Sequence, residues 1–183
     1  MNAQSFGASG KSLALVGLMG VGKTTIGRRL AKRLGLPFYD SDDEIEKAAG
    51  RTVKGYFRDY GEQAFRDGER RVIARLLSQG PMVLATGGGA FVPAETRKLL
   101  KDKAITIWLK ADFKTNMERV NRQREKRPLL DVEDPEAAMR ALAEARYPLY
   151  AQAHIHVHTG RACHAKTVDR VIAALEAYHA KTD

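Results

Sequence analysis

The 183-residue sequence has a single cysteine, Cys163, a single tryptophan, and only 7% aromatic residues. One cysteine excludes an internal disulfide, and such sparse use of thiols suits a reducing compartment. No apolar run approaches the roughly 18 residues of a membrane span, and the opening stretch lacks the apolar segment of a secretory leader. Repeats and linker-like stretches that would mark a second domain are also missing. The expectation is a soluble cytoplasmic protein, with residues 1–11 a flexible tail and 12–183 one domain. A domain of this size buries roughly 70% of the surface its unfolded chain exposes, so it needs no staples.

Acidic charge is also in deficit: the formal net charge is +9. Such a balance raises nucleic acid as a partner. The excess gathers in residues 110–127, where Lys110, Lys114, Arg119, Arg122, Arg124, Lys126 and Arg127 outnumber Asp112, Glu118 and Glu125. No aromatic side chains interleave with them, as a single-strand platform would require. A small polyanion accounts for the patch equally well. Neither a nucleic-acid nor a membrane partner is expected.

The strongest signal present is Gly17-Leu18-Met19-Gly20-Val21-Gly22-Lys23-Thr24, followed by Thr25. It fits G-x-x-x-x-G-K-[ST], the phosphate-binding loop of P-loop nucleotide enzymes. Glycines let successive backbone N–H groups turn inward around a phosphate chain. Lys23 then supplies a point charge to the β and γ phosphates, and the Thr24 hydroxyl a ligand for Mg²⁺. An apolar strand-like run at 12–16 precedes the loop, and Ile26, Leu30, Ala31 and Leu34 follow at helical spacing. Strand, loop and helix come in the required order, with a helix N-terminus aimed at the anion. The candidate nucleotide set is Gly20, Val21, Gly22, Lys23, Thr24 and Thr25.

A second strand over 36–39 runs into Asp40-Ser41-Asp42. Ser41 with Glu44 reads as a capping box opening a helix to Gly50. In an open parallel sheet, ligands bind outside the carboxyl ends of the strands, where this turn and the phosphate loop would both open. Asp40 and Asp42, two apart, face the same side if the chain is extended. One carboxylate can help hold Mg²⁺ through water, and the other can accept a proton from an acceptor hydroxyl. Helices are predicted over 52–60, ended by Gly61, and over 62–78, where Phe65, Glu69, Val72, Ile73, Leu76 and Leu77 form a stripe. Arg66 stands near the start of the second.

The run 82–86 leads straight into Gly87-Gly88-Gly89, more glycine than a turn requires and suited to close approach of backbone to a ligand. It lacks the terminal aspartate of a Walker B strand, so Mg²⁺ would rely on Thr24, Asp40 and water. Further along come a helix over 93–101, a strand over 104–109 with Trp108 in the core, and a helix over 113–120. Residues 121–134 are charged, aperiodic and interrupted by Pro128, which in a compact domain reads as a lid. The lid, placed at about 119–134, would bring Arg127 over the phosphates to stabilise charge and exclude water. A helix opening at Asp134-Pro135 is predicted to end near Arg146, and a last helix to cover 166–179. His154, His156 and His158 alternate along a strand and read as solvent-facing.

With these motifs assembled, the sequence resembles the shikimate kinases. The resemblance covers nearly all of residues 12–175. It rests on the phosphate loop, Asp40-Ser41-Asp42, Gly61-Glu62 leading to Phe65-Arg66 and Glu69, the glycines at 87–89, Arg127-Pro128-Leu129-Leu130, and Arg146-Tyr147-Pro148-Leu149-Tyr150. It implies a three-layer α/β/α fold of the nucleoside-monophosphate-kinase type around a five-stranded parallel sheet. It also implies transfer of the γ-phosphoryl group of ATP to the 3-hydroxyl of shikimate, with Mg²⁺, on the route to chorismate and the aromatic amino acids. By the same resemblance Arg66 and Arg146 hold the substrate carboxylate, and Asp42 binds ring hydroxyls and takes the proton. Gly88 and Gly89 contribute backbone contacts, and Arg127 reaches both nucleotide and reacting centre. ATP and shikimate are the expected partners of a monomer. The nearest rival is another small P-loop kinase, such as one for gluconate.

Overall fold

The computed structural model describes residues 10–121, 132–160 and 164–181. Their core is a five-stranded parallel sheet in the order β2-β3-β1-β4-β5. The strands are β1 (Ser12–Val16), β2 (Phe38–Asp40), β3 (Val83–Ala85), β4 (Ala104–Lys110) and β5 (Ile155–His158). Every residue of β1 and β3 is buried, and all of β4 up to its last residue. That is the pattern of strands covered on both faces, as parallel sheets require. The helices are α1 (Lys23–Leu34), α2 (Ser41–Ala49), α3 (Val53–Leu77), α4 (Ala94–Lys103), α5 (Phe113–Asn121), α6 (Pro135–Tyr150) and α7 (His164–His179). None of those described is long and apolar enough to cross a membrane.

Register decides where the site can be. Leu15 pairs with Ala85, and Ala85 pairs with Asp40, so β1, β3 and β2 end in one row. The segments that leave those strands therefore open at the same edge. These are the phosphate loop, the glycine turn and the acidic turn. The chain runs from β3 across β1 to β4, which makes this edge the topological switch where such sheets bind ligands.

The expected helix break at Gly61 exists in the backbone. Gly61 has φ 79° and ψ 173° within the otherwise helical span of α3. Helix α6 differs from expectation at its end: it continues past Arg146 to Tyr150, with Pro148 inside it. Pro148 stands in the last turn, and Ala151 N–H still closes the helix on the Tyr147 carbonyl at 2.9 Å. A proline costs a helix its own N–H, which is least damaging where few turns remain. Trp108 is buried as expected, edge-on to Tyr147 and His156.

Helix α1 lies on the sheet through Gly27. A Cβ there would stand 2.6 Å from Phe38 Cε2 and 3.2 Å from Leu15 Cδ1. Leu15 is fully buried and cannot yield. Gly27→Val should therefore destabilise by about 1–3 kcal/mol through overpacking. Urea unfolding would show this as a lower midpoint at unchanged slope, and an unaltered midpoint would contradict the packing.

Candidate active site

The phosphate loop turns on its glycines. Gly22, the residue before α1, has φ 94°, a conformation that L side chains rarely adopt. It lets the chain reverse so that the first turn of α1 points its N–H groups into the loop. Lys23 is buried with its ammonium folded inward, donating to the carbonyls of Gly17 at 2.7 Å and Leu18 at 2.8 Å. The Thr24 hydroxyl donates to Asp40 Oδ2 at 2.7 Å.

Asp40 also caps α2. Its Oδ1 accepts the Asp42 N–H at 3.0 Å, so Asp40 is the N-cap and the capping box predicted at Ser41 does not form. Ser41 is fully buried, and its hydroxyl accepts the Gly87 N–H at 2.9 Å. A distant backbone donor has captured the oxygen that a local rule assigns to capping. Asp42 is correspondingly the second residue of α2 rather than part of an extended run. The two carboxylates reach one cavity through the helix turn, not through strand alternation. Asp42 Oδ1 lies 2.7 Å from where a Cβ on Gly87 would be.

The glycine turn is packed on three sides. A Cβ on Gly88 would meet Met19 N at 3.3 Å, Arg146 Nη1 at 3.7 Å and the Gly17 carbonyl at 3.7 Å. One on Gly89 would collide with the Arg66 guanidinium. The turn is thus wedged between the phosphate loop and two arginines. Arg66 is held by Glu69 Oε2 at 2.7 Å and Glu62 Oε1 at 3.2 Å, near the rings of Phe65 and Phe57. Arg146, on α6, is 7% exposed, and its Nη1 has no hydrogen-bond partner among the described residues. A buried guanidinium N–H left unpaired is costly unless an anion completes it.

Two further groups were not assigned roles from sequence. The Tyr150 hydroxyl donates to the Gly88 carbonyl, and burial pushes its pKa up to about 12, so it remains a donor. Glu69, read as part of an apolar stripe, is a buried carboxylate whose Oε1 has no partner among the described residues. Burial pushes it up to about 7, against the pull of Arg66 and with repulsion from Asp42 adding to the rise. An acidic residue three positions after Arg66, on the buried side of the helix, was the available signal.

A cavity of about 630 Å³ opens between the phosphate loop, the acidic turn and Gly88, while Arg66, Arg146 and Gly89 do not line it. Gly20, Gly22, Lys23, Thr24 and Thr25 line it from the phosphate loop, together with Asp40, Asp42, Gly88, Arg119 and His164. Val21 is buried in the loop. Arg119 Nη2 also donates to the Gly160 carbonyl at 3.3 Å. Arg127 and residues 122–131 of the predicted lid lie outside the described residues. His156 and His158 are exposed as expected, but His154 is half-buried and accepts the Thr106 N–H at 3.0 Å. No group of three metal-ligating side chains occurs among the described residues.

A family model described as shikimate kinase matches residues 19–176. The chain belongs to the shikimate kinase family. The shikimate kinase of Caulobacter vibrioides is 56% identical over 170 residues, covering 93% of this chain and 84% of that one. That of Zymomonas mobilis is 52% identical over 165 residues, covering 90% and 93%. The solved structure of the shikimate kinase from Acinetobacter baumannii in complex with shikimate superposes with a TM-score of 0.91. It is 38% identical and covers 96% of this chain and 97% of its own. The three-layer P-loop kinase fold and the kinase assignment implied by the sequence motifs therefore hold.

In this family member Ser41 ties the acidic turn to the glycine turn. Ser41→Ala leaves the buried Gly87 N–H without an acceptor, which costs about 1–3 kcal/mol. Thermal unfolding should record the loss, and a variant as stable as the parent would show that this bond does not hold the two turns together.

Proposed function

We propose that the cavity transfers the γ-phosphoryl group of ATP to the 3-hydroxyl of shikimate, with an assigned residue at each charged end of the two substrates. The observation that carries this reading is the pair of guanidinium groups against the glycine turn, Arg146 buried and Arg66 half-buried. They supply a cationic site, separate from the phosphate loop, for one small carboxylate, and guanidinium forks suit that shape. Asp42, which lines the cavity beside the phosphate loop and whose Oδ1 abuts Gly87, is the acceptor-side base.

The backbone N–H groups of residues 20–25 and the Lys23 ammonium hold the β and γ phosphates. Arg66 and Arg146 fix the ring through its carboxylate, and the backbone of Gly88 and Gly89 flanks it. The 3-hydroxyl oxygen then bonds to the γ phosphorus as the bond to the β–γ bridging oxygen breaks. Its proton passes to Asp42, and ADP leaves with the bridging electrons. Phosphoryl transfer asks the protein chiefly for positioning and charge stabilisation, which this arrangement supplies. Arg127 is assigned a further cation on the phosphates by resemblance alone.

Mg²⁺ fits the donors present. Thr24 Oγ1 and Asp40 Oδ2 are hard oxygens 2.7 Å apart beside the phosphate loop. Mg²⁺ keeps several waters and takes one or two protein oxygens plus phosphates, so a three-ligand cage is unnecessary. When bound, it neutralises charge on the phosphate oxygens.

Lys23→Ala and Asp42→Asn should each lower kcat by about 10²–10³-fold or more, as loss of a preorganised charge does at comparable sites. Arg66→Ala should raise KM for shikimate at least tenfold while leaving KM for ATP within about twofold, since it touches only the carboxylate end. Coupled ADP release measures all three. Near-normal turnover in either of the first two variants, or equal shifts of both KM values in the third, contradicts these roles.

A further inference from the structure

Glu69 is a buried acid packed against the substrate clamp, and the steps above do not use it. Its Oε2 is engaged by Arg66 Nη1 at 2.7 Å, the same guanidinium assigned to the acceptor carboxylate. Its Oε1 has no hydrogen-bond partner among the described residues and lies 3.0 Å from where a Cβ on Gly87 would be. Asp42 Oδ1 crowds that same point at 2.7 Å. The charged groups acting on Glu69 among the described residues are Arg66 from α3, Asp42 from α2 and Arg146 from α6. Glu62, also on α3, acts through its bond to Arg66.

Two anions thus already converge on the glycine turn, balanced by two guanidinium groups. A substrate carboxylate on those guanidiniums brings a third. It divides the attraction of Arg66 and Arg146 between itself and Glu69, and adds its own repulsion at short range beside a buried carboxylate. Like charges so placed cannot all stay ionised. Asp42 must remain ionised to accept the hydroxyl proton. Glu69 is more buried than Asp42, and its Oε1 has no hydrogen-bond partner among the described residues.

We propose that Glu69 takes up a proton from solvent when the acceptor carboxylate docks on Arg66 and Arg146, so that acceptor binding and Glu69 protonation are one coupled event. The inference rests on the carboxylate-clamp reading of those arginines. Glu69 is on this account a positioning residue: neutral, it leaves the fork of Arg66 to the substrate while keeping one hydrogen bond to it. Burial already pushes the carboxyl up to about 7, so near neutrality it stands ready to accept the proton. The sign follows from linkage. The bound form holds the proton to higher pH than the free form, so affinity for the acceptor falls as pH rises above neutrality. Each unit by which the substrate raises the Glu69 pKa weakens binding about tenfold across that window.

The test is calorimetric titration of shikimate into the full chain at about pH 7.5, in PIPES, HEPES and Tris, whose ionisation enthalpies differ. The expected result is a binding heat that varies linearly with buffer ionisation enthalpy, with a slope of a sizeable fraction of one proton taken up per shikimate. In Glu69→Gln the slope should fall to near zero while binding persists. Independently, KM for shikimate in the unaltered chain should rise several-fold between about pH 6.5 and pH 8.5, with KM for ATP showing no matching rise. Binding with the same heat in every buffer overturns the proposal and leaves the clamp standing, as does undiminished uptake in Glu69→Gln. Failure of the unaltered chain to bind shikimate overturns the clamp reading and this proposal together.

Discussion

The site depends on the close approach of two backbone segments. The Gly87–Gly89 turn lies against the phosphate loop, a Cβ on Gly88 standing a tight 3.3 Å from Met19 N and 3.7 Å from the Gly17 carbonyl. Sheet register sets this up, because β1 and β3 are neighbours that end in the same row. Buried polar anchors then fix the turn: Ser41 accepts from Gly87, Tyr150 donates to the Gly88 carbonyl, and Thr86 Oγ1 donates to the Leu15 carbonyl at 2.9 Å. On the proposed reading, the anion on the loop and the acid on the turn would face one another across this contact.

Electrostatics in the cleft follows the same economy. The positive charges that matter are each tied to oxygen before any substrate arrives: Lys23 to two loop carbonyls and Arg66 to two carboxylates. Holding a guanidinium in place beforehand removes the entropy of ordering it on binding. Arg146 is the exception, buried with an N–H unpaired among the described residues. Such a group lowers stability, and natural proteins retain that kind of cost chiefly where a ligand repays it.

The sequence was most legible where structure is local. The phosphate loop is a short-range device, and its strand, glycines, lysine and helix are all contiguous. The breaks at Gly35, Gly50 and Gly61 are equally local, since each needs a positive φ. Ser41 was misread because its partner, Gly87 N–H, is 46 residues away, and nothing near Ser41 announces it. His154 failed likewise: alternation with His156 and His158 suggested one solvent face, but Thr106 on β4 draws its ring partly inside. Glu69 fell into a hydrophobic stripe because periodicity records which face is buried and not what chemistry is buried there. Arg66 and Arg146, eighty residues apart, could be paired only by resemblance, since folding alone brings both to one turn.

The central claim is that a carboxylate clamp and a phosphate loop on opposite sides of one glycine turn select shikimate as the acceptor. ADP release with Mg²⁺ and ATP, measured in parallel against shikimate, quinate, gluconate and no acceptor, tests it directly. The account predicts turnover with shikimate far above the other three. Turnover with gluconate and none with shikimate would keep the fold and the phosphate loop but contradict the assignment of Asp42, Arg66 and Arg146.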